Sequence, residues 1–213
     1  MSTTAKGKGR MNKGRLEAFS DGVIAVIITI MVLDLKEPAS AGIDAFMPLL
    51  PLMLSYVLSF LNVGIYWNNH HHLFQIVGKI DGTVLWANLH LLFWLSLFPF
   101  TTSWLASHHQ ASIPAATYGL NLLATALAYG ILQSRLIRLQ DNALLAGAIG
   151  RDIKGKISPA IYLVGIALSF VSAHLGEACY VLVALIWLVP DQRIERSVQT
   201  AQATSRPEEL SAD

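Results

Sequence analysis

The sequence predicts an all-α integral membrane protein with six transmembrane helices per chain, and three observations lead there. Hydrophobic residues make up 54% of the 213 positions and charged residues only 14%, against about a quarter charged in an ordinary soluble domain. The apolar residues gather into six runs, several of them near the roughly 20 residues that cross a bilayer. When these runs alternate direction, 14 of the 15 Lys and Arg residues fall on one side, with Lys36 the exception. That asymmetry places both termini in the cytoplasm of a cell membrane.

The chain opens on residues 1–14, "MSTTAKGKGRMNKG", a basic stretch read as a cytoplasmic N-terminus. It is not a cleavable signal peptide, because the apolar run behind it is too long and has no small-residue cleavage site. The six runs are Leu16–Leu35, Leu49–Trp67, Val84–Leu105, Ile113–Leu132, Ile157–Ala173 and Leu175–Val189. Each is assigned as helix, since backbone groups in hydrocarbon need partners inside their own segment. The last two are short and read as a hairpin closed around "HLGE". Between the fourth and fifth runs, residues 133–156 are polar at both ends with an apolar middle, "ALLAGAI", fitting either a continuation of the fourth helix or a surface helix. Residues 191–213 are polar, lack the apolar content to fold alone and read as a disordered cytoplasmic tail. The unit between, 15–190, shows no internal duplication and reads as a single six-helix domain.

The first run carries the most information. Asp21 sits near its start, in "RLEAFSDGVIAVIITIMVLDL". A helix beginning after Asp21 would run only from Gly22 to Leu33, 12 residues or about 18 Å, against a hydrocarbon thickness of about 30 Å. The helix must therefore extend back to Leu16 and draw Phe19, Ser20 and Asp21 into the membrane's inner edge. A carboxylate there needs a partner. Topology brings the candidates to the same depth: "YWNNHHHLF" (66–74) ending the second helix and "DGTVLWANLH" (81–90) opening the third. The expected cluster comprises Arg15, Phe19, Ser20, Asp21, Trp67, His70, His71, Asn88 and His90, locking the first three helices together; spacing does not decide which histidine faces inward. His70, His71 and His72 do not form a metal site, since adjacent helical residues diverge by about 100°. The lone Cys179 gives neither a disulfide nor a metal site.

On the same helix, steps of three and four from Arg15 trace Phe19, Gly22, Val26, Thr29 or Ile30, and Leu33. This stripe is apolar apart from Thr29. Periodicity alone fits a lipid-facing surface, a packed face or a functional one.

Arg15 followed by Phe19-Ser20-Asp21, together with "YWNNHHHLF" and "NLHLLFWLSLFPFTT" (88–102), resembles the transmembrane protein 175 family of endolysosomal potassium channels and their prokaryotic relatives. The resemblance covers all six runs. It implies a potassium-preferring cation channel, with no cofactor beyond the permeant K+, whose pore is lined by the first helix at the axis of a homotetramer. It places large apolar constrictions at Val26, Ile30 and Leu33 and associates the Thr29 hydroxyl with potassium preference. Val26 is smaller than the isoleucine or leucine common at the innermost layer. Four copies of one stripe would stack hydrophobic rings that gate by excluding water. No "TVGYG"-type filter and no Arg-rich voltage-sensing helix occurs in the sequence, so the expected selectivity is modest.

Two other classes compete with a channel. A proton-coupled or metal-cation transporter would use Asp21 and the histidines as a relay, but repeated halves and broken mid-membrane helices are missing from the sequence. An enzyme is not expected: there is no "HExxH", no Gly-rich phosphate loop and no nucleophile–base pattern.

Overall fold

The computed structural model describes residues 13–75, 77–140 and 153–188, and all regular structure among them is helical. The helices are α1 (Lys13–Leu33), a short α2 (Ile43–Phe46), α3 (Leu50–Gln75), α4 (Gly82–Ser96), α5 (Phe98–Ser107), α6 (Ser112–Gln140), α7 (Ile153–Ser169) and α8 (Ala173–Leu188). A 3-10 turn at Met47–Leu49 joins α2 to α3. Residues 1–12 of the basic N-terminus, the "ALLAGAI" segment and the polar tail lie outside the described residues, and Lys13 and Gly14 belong to α1.

Four stretches are long and apolar enough to cross a membrane: Lys13–Leu33, Ile43–Gln75, Gly82–Ser107 and Ser112–Leu139. The first includes Asp21, so α1 does run back through the Phe-Ser-Asp triplet. The second outruns its sequence-predicted end at Trp67 by two turns, taking "HHH" into the helix. The third is not one continuous helix. Pro99 has no N–H to give the Leu95 carbonyl and crowds it, and the run breaks at Leu97 into α4 and α5. At its start Asp81 caps α4: its carboxylate accepts from the Val84 backbone N–H at 2.9 Å and the Thr83 hydroxyl at 2.8 Å. These bonds hold the Asp81 carboxyl below the usual carboxylate range, the Val84 amide first.

The last two helices have 17 and 16 residues, about 25 Å and 24 Å at 1.5 Å per residue. The reversal between them falls at Phe170–Ser172, so "HLGE" lies within the first turn of α8 rather than at the joint. The helices stack as a layer, with α7 against both α8 and α6, and α6 against α4. On the other side α1 leans on α3, α4 and α5.

The bundle interior is held by polar contacts as well as by its apolar core. Ser59 on α3 shares hydrogen bonds with Thr102 of α5 at 2.6 Å and Tyr118 of α6 at 2.9 Å. Tyr180 of α8 donates to the Ala115 carbonyl at 3.2 Å and meets Ser169 at the same distance. In hydrocarbon each such interhelical bond contributes on average about 0.6 kcal/mol. Around Tyr180 the helices approach closely because Gly119 and Gly165 face its ring, and Gly176 brings α8 against α7 beside it. A Cβ on Gly119 would overlap the Tyr180 ring, and one on Gly176 would overlap Ser169 and the Gly165 carbonyl.

Candidate functional site

The two faces of α1 differ in what covers them, not in their chemistry. Leu16, Ser20, Ile24, Ile27 and Met31 recur at steps of three and four and are buried against α3, α4 and α5. The opposite side is uncovered: Phe19 and Val26 are each 56% exposed, Ile30 45% and Leu33 76%. Arg15, Gly22 and Thr29 share this exposed side. Along it the one uncharged polar side chain is Thr29, whose hydroxyl donates to the Ala25 carbonyl at 2.7 Å. With its proton committed to the backbone, that oxygen presents lone pairs outward, and so acts as an acceptor toward water or a cation.

The polar residues expected to lock the first helices divide into two groups. A buried chain runs through Ser20, Asn88 and His70, each at most 2% exposed. The Asn88 amide donates to the Ser20 hydroxyl oxygen at 2.9 Å, and Ser20 donates in turn to the Leu16 carbonyl at 2.9 Å. His70 Nε2 lies 2.8 Å from the Asn88 carbonyl oxygen, an acceptor, so Nε2 carries the proton. One residue from each of α1, α4 and α3 is thereby tied to the next. Among the three adjacent histidines, His70 is the one buried in this chain.

Asp21 stands outside it. The sequence places its carboxylate against imidazole or amide donors; in the structure it is exposed and accepts from the Trp67 indole N–H at 2.9 Å. One residue of helix turns the side chain by about 100°, so Ser20 points to the core and Asp21 to the rim between α1 and α3. His71 stacks on Trp67 with ring centroids 5.8 Å apart and bonds to Gln75 at 2.8 Å, also at the surface. His90 turns away on α4, where Trp94 donates to it at 3.0 Å. Arg15 and Phe19 lie on the uncovered face of α1, apart from both groups. The sequence signal for the buried hub was present: Ser20 is in phase with the apolar stripe through Leu16, Ile24, Ile27 and Met31. Among the described residues no three His, Cys, Asp or Glu side chains are grouped to hold a metal ion.

Removing the central link should be costly. Asn88→Leu strands the His70 N–H in a dry interior, a loss of about 1–3 kcal/mol, and takes from the Ser20 oxygen its one donor while leaving the Ser20 bond to the Leu16 carbonyl in place. Thermal denaturation in detergent should show a lowered midpoint, with His90→Ala unchanged as the control. An Asn88→Leu midpoint equal to wild type would mean that the chain of bonds does not hold the helices.

A bundle of long apolar helices, the first of which buries one apolar stripe and leaves a second uncovered, defines a class: a multi-pass helical membrane protein. The comparisons with known proteins narrow the class. Residues 15–99 match the family model described as endosomal/lysosomal potassium channel TMEM175. A potassium channel from a Chryseobacterium species is 55% identical over 190 residues, covering 89% of this chain and 99% of that one. A potassium channel from Streptomyces collinus is 36% identical over 82% of this chain and 90% of its own length. The crystal structure of a lysosomal potassium-selective channel TMEM175 homolog from Chamaesiphon minutus superposes with a TM-score of 0.74 at 30% identity, covering 83% of this chain and 96% of that one. The chain belongs to the TMEM175 family, a family of ion channels and not of enzymes.

Proposed function

We propose that this chain is a passive, potassium-preferring cation channel of the cell membrane, working as a homotetramer with α1 at its central axis. Residues 15–190 form the channel unit, with six membrane-spanning helices once the short α7–α8 hairpin is included. Residues 1–14 and 191–213 flank it on the cytoplasmic side. The observation that carries the reading is the uncovered apolar face of α1, Phe19 to Leu33, in a chain 55% identical to a relative named a potassium channel.

One helix does not enclose a pore, but four copies of this face around an axis do. Val26, Ile30 and Leu33 then form stacked apolar rings. An ion crossing such a ring must shed or squeeze its hydration shell, and the ring closes by dewetting when it narrows. Potassium holds its shell less tightly than sodium and pays less at the constriction. Thr29, its proton bound to Ala25, offers four oxygens between the Val26 and Ile30 levels that replace part of the lost shell. The buried Ser20–Asn88–His70 chain and the Asp21–Trp67 bond fix the angle at which α1 leaves the bundle, and so the radius of the rings.

The deciding measurement is a reversal potential across a planar bilayer holding purified protein, with potassium on one side and sodium on the other. The expected current reverses at a potential with the sign set by the potassium gradient and needs no chemical energy input. Correctly inserted protein that passes no current, or a reversal at zero, would remove the reading.

A further inference from the structure

Helices α3, α6, α7 and α8 part around a cavity of about 190 Å³. It lies inside one subunit and is lined by none of the uncovered α1 residues. An apolar cavity of roughly 150 Å³ holds benzene, so this one takes a single ring with a short substituent. Each of the four helices contributes an aromatic side chain to the wall: Tyr66, Tyr129, Tyr162 and Trp187. These walls are preformed. The Trp187 indole donates to Ser158 at 2.9 Å, tying α8 to α7, and Tyr129 donates to the Asn69 carbonyl at 3.3 Å, tying α6 to α3. The Tyr66 ring meets the Tyr129 ring edge-on with centroids 5.9 Å apart.

Two phenols in the lining have bonding capacity to spare. The hydroxyls of Tyr66 and Tyr162 enter no hydrogen bond among the described residues, although Tyr162 is only 2% exposed. An O–H group taken out of water without an acceptor is costly, and protein interiors supply such groups with a partner from protein, water or ligand. Lys156 also stands in the lining, already engaged in an interaction of its own; the recognition chemistry comes from the phenols and the rings. A neutral ring bearing a carbonyl oxygen answers both features. Its face and edges pack against the aromatic walls, and its oxygen accepts from the phenol O–H groups. Being uncharged, it also reaches the site through the surrounding bilayer without the cost of carrying an ion out of water.

We propose that this cavity is a binding site for a small, neutral aromatic carbonyl compound: a single ring with a ketone, aldehyde or quinone oxygen, held by Tyr66 and Tyr162 against Trp187. Binding is read without ion flux and involves no residue of the uncovered α1 face, so its failure leaves the channel reading standing.

The test titrates the purified full chain in detergent with acetophenone and with ethylbenzene, which keeps the ring and the two-carbon chain but lacks the oxygen. Equilibrium dialysis against empty micelles counts the bound ligand, and the thermal midpoint is followed as ligand is added. Acetophenone should bind once per chain and raise the midpoint. Tyr66→Phe combined with Tyr162→Phe keeps both rings and removes both hydroxyls. Acetophenone affinity should then fall about tenfold, with ethylbenzene affinity unchanged. Gly130→Leu should abolish the binding of both: Gly130 lines the cavity and a Cβ there meets nothing within 4 Å, so the longer side chain fills the space without displacing the helices. Uptake of acetophenone no greater than by empty micelles would mean that the cavity holds water alone. That result, an affinity unmoved by the two phenylalanine substitutions, or full binding in a folded Gly130→Leu protein overturns the proposal.

Discussion

Leu33→Asn, and separately Val26→Asn, should raise potassium conductance about tenfold and bring the potassium and sodium permeabilities close together. The argument starts from exposure. Leu33 is 76% and Val26 56% exposed on the subunit, so neither substitution disturbs the core that Ile24, Ile27 and Met31 help to build. Within a tetramer each change appears four times on one ring. Four amides hydrate a constriction that four alkyl groups dry. An ion then crosses with more of its shell intact, and a barrier lower by only about 1.4 kcal/mol is a factor of ten in rate. The same hydration removes the difference in shell-stripping cost that favours potassium, so selectivity falls as conductance rises. Ile27→Asn, one residue beyond Val26 but buried, should instead fail to fold. Single-channel recordings in matched bilayers decide it: two asparagine variants with wild-type currents would mean that this face of α1 meets lipid.

How much of this was legible in the sequence follows from what a membrane does to periodicity. The apolar runs, the extension of α1 through Asp21 and the polar depth shared by "YWNNHHHLF" and "ANLH" could be read from length and topology. The break at Leu97 could be placed near Pro99, since a proline inside a run has a local cause. Which face of α1 is covered could not. In a soluble helix one face is polar, and the 3.6-residue period reveals the core. Here Leu16, Ile24 and Ile27 on the buried side are the same kinds of residue as Val26, Ile30 and Leu33 on the uncovered side. Ser20 was the better guide, because its hydroxyl falls in phase with the buried stripe, whereas the Thr29 hydroxyl falls on the uncovered side. Ser20 marks the buried stripe and Asp21 the rim, and attention to the charge rather than the hydroxyl misplaces the hub by one residue. The long-range fit of glycines around Tyr180 was the least legible. Gly119 and Gly165 lie on different helices, far apart in the chain, and nothing local says that the Tyr180 ring will rest on both.

That fit carries the second large effect. Gly176→Leu should abolish recovery of monodisperse protein, and Gly119→Val should lower the thermal midpoint severely. At Gly176 even the first carbon of a side chain overlaps the Ser169 side chain and the backbone carbonyl of Gly165. The serine can rotate, but the carbonyl is fixed by the α7 helix, so α7 and α8 must separate. At Gly119 the obstacle is the Tyr180 ring, which is fully buried and bonded to the Ala115 carbonyl and Ser169. Overpacking a tight core costs about 1–3 kcal/mol and sometimes more; here it also breaks interhelical bonds that have no solvent to replace them. The consequence exceeds local strain. With 17 and 16 residues, α7 and α8 are each short for a bilayer crossing, and their contact with each other and with α6 is what holds them in the bundle. Gly64→Ala is the matched control: a Cβ there meets nothing within 4 Å, and the gain in helix propensity of about 0.5–1 kcal/mol should leave the protein unchanged or slightly more stable. Size-exclusion profiles and thermal midpoints compare the three. A Gly176→Leu protein that elutes and melts like wild type would show that α7 and α8 need no close contact to stay in place.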